Sequence, residues 1–281
     1  MSRVFLAAGL LLALTVTVPA QTRPKPAVPA VTPLVIGDTF AIASTNLREK
    51  RRINVYVPQG YAESPELRLP VLYMPDGGIV EDFLHVAGLL QVSIGNGTMR
   101  PFLLVGIENT ERRRDMTGPT ESEEDKKIAV RIGGSAAFRA FIRAELMPAV
   151  RQRYRTTGET AIVGESLAGL FVVETFLLEP DLFDTYIAFD PSLWWNKENL
   201  LGAASGHLRT RPSIRKTIFL ASSAEPGLAD VTARLAGILQ KASVPDLTWH
   251  YERMPEEQHA TIYHPAALRA FRTVFKPATC R

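Results

Sequence analysis

Gly164-Glu165-Ser166-Leu167-Ala168-Gly169 sets one serine among small residues, directly after the β-rich run Ala161 to Val163 and before an apolar stretch, Leu167 to Leu178. A serine on a tight strand-to-helix turn has its hydroxyl lifted clear of the sheet, and small flanking residues let the two elements approach that closely. The usual spacing is G-x-S-x-G, from which Ala168 departs by one methyl group, with Gly169 adjacent. The chemistry available to such a serine is attack on a carbonyl carbon. Because a hydroxyl is a weak nucleophile at neutral pH, the reading requires a general base and an acid that orients it.

A strand-turn-helix serine is followed along the chain first by the acid and then by the histidine. The downstream histidines are His207, His250, His259 and His264. His207 lies before the seventh strand and His250 within the eighth, whereas His259 follows the polar turn Pro255 to Gln258 and is free to reach back, so it is preferred to His264 as the base. For the acid, the run Thr217 to Ala221 leads into Glu225, the first choice. Asp230 is the near alternative, and Asp190, after the sixth strand, is the distant one. An oxyanion needs backbone N–H donors, expected from Leu167 and from Gly77 and Gly78 in the glycine turn after the third strand.

The elements that must hold these residues follow from periodicity. Short β-rich runs fall at Thr39 to Ser44, Ile53 to Val57, Val71 to Met74, Phe102 to Ile107, Ala161 to Val163, Thr185 to Phe189, Thr217 to Ala221 and Leu247 to Arg253. Helical patterns separate the later ones. Phe138, Phe141, Ile142, Leu146, Met147, Val150 and Tyr154 share one face of a helix that Pro148 should kink, and the uniformly apolar run from Leu167 predicts a buried helix. Alternating strands and helices predict a mostly parallel sheet covered on both faces. The first two strands have no helix between them, which predicts an antiparallel edge. The connection from Glu108 to Gly134, with Arg112, Arg113, Arg114 and the charged stretch Glu121 to Lys127, is long for such a fold and leaves a strand at the sheet's carboxyl edge, where ligands bind. Its arginines point to a substrate that carries negative charge.

At the amino terminus, Met1, Ser2 and Arg3 precede an uncharged Leu/Ala-rich run from Val4 to Val18, followed by Pro19 and Ala20. That is the pattern of a secretory signal peptide, residues 1–20, cut before Gln21; the run is shorter than the roughly 20 residues of a spanning helix. A Pro-rich leader then covers residues 21–37, and residues 38–281 suffice for one large α/β domain. The expected location is therefore secreted or periplasmic, without stable membrane insertion once the signal is removed. A single cysteine, Cys280, excludes an intrachain disulfide, and a net charge of +3 gives no case for nucleic acid.

With these pieces in place, the chain resembles the esterase family of the α/β-hydrolase superfamily that includes esterase D, the carbohydrate feruloyl and acetyl esterases and the enterobactin-type trilactone esterases. The resemblance runs from about Asp38 to Phe275. It is carried by Pro70-Val71-Leu72-Tyr73 with Asp76-Gly77, by Val105-Gly106-Ile107 with Asn109, Arg112, Asp115 and Thr117, by Gly164 to Gly169, by Asp190-Pro191-Ser192-Leu193-Trp194-Trp195, by Glu225, and by His259 with Thr261 and Leu268. The resemblance implies an α/β-hydrolase fold of about eight strands without a separate lid domain, and ester hydrolysis needing no metal or organic cofactor. It supports Ser166, His259 and Glu225, places Trp194 and Trp195 near the substrate groove, and pairs Arg112 with Asp115 at the pocket edge.

The expected protein is an exported serine esterase that cleaves a carboxylic ester or lactone of a small molecule or saccharide through an acyl-enzyme. Two other functions use the same chain: acyl transfer to a sugar or alcohol acceptor, and a catalytically silent binding protein. Labelling by a fluorophosphonate separates the silent protein, and products formed with added alcohol separate transfer from hydrolysis.

Overall fold

In the computed structural model, residues 31–210 and 213–277 are described. The expected signal peptide, most of the Pro-rich leader and Cys280 lie outside them. Residues 31–35 belong to one unit and have no regular secondary structure; the described part of Ile36–Arg281 forms another, which carries all the elements below.

The strands are β1 (Asp38–Ser44), β2 (Glu49–Tyr56), β3 (Leu69–Met74), β4 (Leu103–Ile107), β5 (Thr156–Glu165), β6 (Thr185–Phe189), β7 (Thr217–Ser222) and β8 (Thr248–Arg253). The helices are α1 (Phe83–Gly95), α2 (Arg112–Met116), α3 (Glu123–Lys126), α4 (Ser135–Phe141), α5 (Met147–Arg153), α6 (Leu167–Leu178), α7 (Trp195–Arg209), α8 (Pro226–Ala242) and α9 (Tyr263–Val274). One eight-stranded sheet has the order β1-β2-β4-β3-β5-β6-β7-β8. β1 and β2 pair antiparallel, as do β2 and β4, and every pairing from β4 to β8 is parallel. The antiparallel edge and parallel remainder are as expected.

Alternation along the central strands feeds two apolar layers. Val71 and Tyr73 join Phe138, Phe171 and Leu235 on one face, while Leu72 and Met74 join Phe83, Val86 and Phe271 on the other. Each central strand is buried on both sides, and its sequence is therefore a continuous apolar run.

β5 begins at Thr156, five residues before the apolar run at Ala161, and α2 and α3 lie within the long connection; two further differences have a clear cause. β2 starts four residues earlier than the apolar run at Ile53, because Arg51 is fully buried and its charge is matched by Asp115 and Glu49. The amphipathic helix over 138–154 is interrupted by a π-turn, Ile142–Leu146, in which Met147 N–H donates to Ile142 O. Pro148 has no N–H to continue the α-helical ladder, and the wider turn absorbs the defect just before it. α6 is buried along nearly its whole length, as its uniform apolarity requires. Its one carboxylate, Glu174, is met by Arg139 at 2.6 Å.

Candidate active site

Ser166 is the residue between β5 and α6, with φ 60° and ψ −119°. A non-glycine residue there costs on the order of 1–3 kcal/mol, and the neighbourhood has to hold it. Ser166 N–H donates to Phe189 O at 3.0 Å, and Ser192 N–H donates to Ser166 O at 3.0 Å, so the bend is laced to the end of β6. A Cβ on Gly164 would come within 2.8 Å of the Ala168 methyl, and one on Gly169 within 3.0 Å of Phe189 O. With Ala at 168, the glycine at 164 is thus obligatory, and the substitution within G-x-S-x-G is accommodated by the space that Gly164 leaves.

His259 comes from the loop between β8 and α9. That loop is tied to the exit of β7 by Met254 N–H to Ser222 O and Ala224 N–H to Glu257 O, both 2.8 Å. The ring then reaches the elbow, with Nε2 3.1 Å from Ser166 Oγ. Its Nδ1 lies 3.1 Å from Asp190 Oδ2. A carboxylate accepts only, so this contact puts the ring proton on Nδ1 and leaves the Nε2 lone pair for the serine hydroxyl. Asp190 is fully buried, at φ 39°, and its other oxygen accepts Ser223 N–H at 2.8 Å. A third group converges here: Glu165 Oε1 is 3.0 Å from the same Nδ1.

The electrostatics follow from these contacts. His259 is raised above the ordinary histidine value, first by its hydrogen bond to Asp190, against burial, with Glu165, Asp190 and Glu225 adding to the rise. Burial pushes the Glu165 carboxyl up to about 7, against the charges of His259 and Arg112. Glu165, Asp190 and His259 each offer one atom within 4.8 Å of one another, a spacing that also suits a cation. The nitrogen such a cation would take is the one that donates to Asp190, so metal binding and the serine–histidine contact place opposite demands on the ring.

Ser166 opens into a cavity of about 580 Å³ whose lining includes Trp194, Glu225, Leu228 and His259. Several sequence expectations are corrected at this point. Glu225 stands at the N-cap of α8 and on the cavity wall, and acts on His259 through its charge, while the carboxylate hydrogen-bonded to the imidazole is Asp190. The reason is strand order: β6 lies beside β5 and delivers Asp190 next to the elbow, and Glu225 emerges from β7, one strand further away. Asp230 also lines the cavity and pairs with Arg234. Gly77 N–H is engaged by Ile107 O at 3.0 Å and Gly78 N–H by Glu81 Oε2 at 2.6 Å, so neither is a free donor. Leu167, at the first turn of α6, has its N–H outside every hydrogen bond of the described residues.

The tryptophan pair divides. Trp194 is 39% exposed on the cavity wall, whereas Trp195 is buried and its indole N–H donates to Gly118 O at 2.9 Å. Arg112 is held by Asp76 at 2.6 and 2.9 Å rather than by Asp115, which pairs with Arg51 and Arg114. Arg114 also meets Glu49, and Arg131 meets Glu111. The arginines line a separate cavity of about 550 Å³ that Ser166 does not border, so the expectation of an anionic substrate loses its footing. The long connection is anchored at a few buried points: Asp125 is buried and accepts Asn196 N–H at 2.7 Å, fixing a left-handed turn over Asn196, Lys197 and Glu198 that follows the tryptophans.

The sheet order, the strained serine between β5 and α6 and a histidine from the loop after the last strand define an α/β-hydrolase fold with a serine–histidine site. The chain belongs to the family described as "Putative esterase", which matches residues 44–233. Among its relatives are the ferri-bacillibactin esterase BesA of Bacillus subtilis (strain 168), 30% identical over 58% of this chain and 64% of that protein, and the siderophore triacetylfusarinine C esterase of Aspergillus fumigatus, 32% identical over 51% of each. This chain thus spans less than two thirds of the length of these curated relatives. Among solved structures, an IroE-like serine hydrolase from Shewanella oneidensis superposes with a TM-score of 0.78 at 29% identity, over 85% of this chain and 80% of that one. A BES protein from Bacillus cereus shares the fold, with a TM-score of 0.77 at 19% identity over 89% of this chain and 99% of that one.

Proposed function

We propose that this protein is a serine esterase that cleaves carboxylic ester or lactone bonds by two-step acyl transfer, with Ser166 as nucleophile, His259 as general base and Asp190 as the acid that orients it. The observation that carries the reading is one imidazole with a hydroxyl 3.1 Å from Nε2 and a buried carboxylate 3.1 Å from Nδ1. Ser166 Oγ attacks the carbonyl as its proton passes to Nε2. The imidazolium is stabilised by Asp190, and the proton then goes to the departing alcohol. Water, deprotonated by the same nitrogen, releases the acyl group. The Leu167 N–H is oriented by the start of α6 to meet the oxyanion, where one such donor contributes about 2.7–4 kcal/mol.

The substrate class that fits best is a siderophore ester. This rests on what the relatives act on, by their names, and on a cavity whose Trp194 face offers a flat aromatic wall to a large ligand. Export is proposed from the signal-like residues 1–20. Among the described residues no helix is long and apolar enough to cross a membrane.

The test is turnover of short-chain, feruloyl and trilactone esters by the wild type beside Ser166→Ala. Turnover should fall by about 10³-fold or more in the variant, with far-UV circular dichroism unchanged. An alanine variant as active as the wild type ends the reading. Product ratios in the presence of an alcohol acceptor distinguish hydrolysis from transfer.

A further inference from the structure

Two carboxylates crowd the one proton on His259 Nδ1, and the mechanism above uses only one of them. Asp190 Oδ2 lies 3.1 Å away with hydrogen-bond alignment. Glu165 Oε1 lies at 3.0 Å without it, is shielded from solvent, and has no hydrogen-bond partner among the described residues. An acid placed one residue before the nucleophile, at the end of β5, is tied to the strained bend at Ser166, so its side chain has little freedom to seek another donor. Leaving a buried carboxyl oxygen unpaired is costly, and the imidazole is the donor within reach. The other groups acting on Glu165 are Arg112, Asp190 and Asp76, and those acting on His259 are Asp190 and Glu225.

We infer that Glu165 is a second positioning residue for the His259 imidazole, accepting Nδ1–H in alternation with Asp190. The inference rests on the proposed roles of Ser166 and His259. A small rotation of the ring about its Cβ bond exchanges one acceptor for the other, because the two oxygens are nearly equidistant from the nitrogen. When Nε2 takes the serine proton, the imidazolium then faces two carboxyl groups instead of one, and both favour the charged ring. No bond beyond those of the acyl transfer is made or broken. The burial that raises Glu165 towards neutral pH means that its help grows as the carboxyl ionises.

The experiment compares wild type, Glu165→Gln, Asp190→Asn, the double variant and Ser166→Ala on p-nitrophenyl acetate from pH 5 to 10, with kcat and KM taken separately and thermal melts as the control for folding. If Glu165 has the inferred role, Asp190→Asn keeps about tenfold more kcat than the double variant. Glu165→Gln alone moves the acid limb of the kcat profile to lower pH and leaves KM within about twofold. The inference is overturned if the double variant matches Asp190→Asn at every pH while the Glu165→Gln limb coincides with that of the wild type. Should the glutamine variant melt early, Glu165→Met, which keeps the side-chain length without an acceptor, takes its place with the same two outcomes. Retained activity in Ser166→Ala instead breaks the underlying catalytic reading, so the two failures are told apart.

Discussion

The arginine-rich connection between β4 and α4 and the pocket around Ser166 both carry dense charge, and they handle it in opposite ways. In the connection, Arg112 is matched by Asp76, Arg114 by Glu49 and Asp115, and Arg131 by Glu111. Around Ser166, three carboxyl groups, Asp190, Glu165 and Glu225, surround a single imidazole. A charge that already has a partner holds structure in place, and a charge left in excess is available to stabilise a developing opposite charge. The count of arginines in a segment therefore says less about a ligand than the count of those left unpaired.

The largest effect expected from this contrast is at the acid. Asp190→Asn should lower kcat by about 10²–10⁴-fold, because the amide cannot hold Nδ1–H in the same way, whereas Glu225→Gln should stay within about threefold. Comparable losses in both variants, read in steady-state kinetics, would show that Glu225 shares the role and that the excess of carboxylates is not resolved by hydrogen bonding. Next is the paired region. Arg51 is fully buried between Glu49 and Asp115, and Arg51→Gln removes the buried cation and leaves both carboxylates to Arg114 alone, so urea unfolding should show a loss of about 3–5 kcal/mol. Arg113, which has no ion pair among the described residues, should cost less than about 0.5 kcal/mol as glutamine. Equal losses would mean that pairing is not what distinguishes these arginines.

The unpaired side is tested through Glu165. Glu165 has its folded value near 7 against a reference of 4.5, so folding favours its protonated form. The sign follows: below pH 4.5 the group is neutral in both states and costs nothing, and between pH 4.5 and 7 a penalty for ionisation builds up to about 3 kcal/mol at most. Glu165→Gln should accordingly melt at the same temperature as the wild type at pH 4 and a few degrees higher at pH 8. A glutamine variant less stable than the wild type at pH 8 would show that the ionised carboxyl is compensated after all.

Much of the architecture is legible in the residues. The sheet's central runs are apolar because both of their faces are covered, and the G-x-S-x-A-G spacing marks the elbow because only small residues fit there. His259 could be picked out because a polar turn before a helix leaves its ring free. Asp190 could not be ranked first, although it stands directly before the Pro191-Ser192 stretch. Its approach to the imidazole depends on β6 being the neighbour of β5, on a positive φ and on a backbone donor from beyond β7. Gly77 and Gly78 look like oxyanion donors from composition, yet Gly77 N–H is taken by Ile107 O on the neighbouring strand and Gly78 N–H by the side chain of Glu81, three residues on.

Periodicity, residue size and punctuation are local properties of the chain, and they suffice for the α/β architecture, the tight bend at Ser166 and the loop position of His259. Which carboxylate meets that histidine, which arginines are neutralised and which N–H groups stay free were decided only by the tertiary structure. Those outcomes depend on distances between strands far apart in the chain, and a difference of one strand position, about 4.8 Å, is enough to make or lose a hydrogen bond.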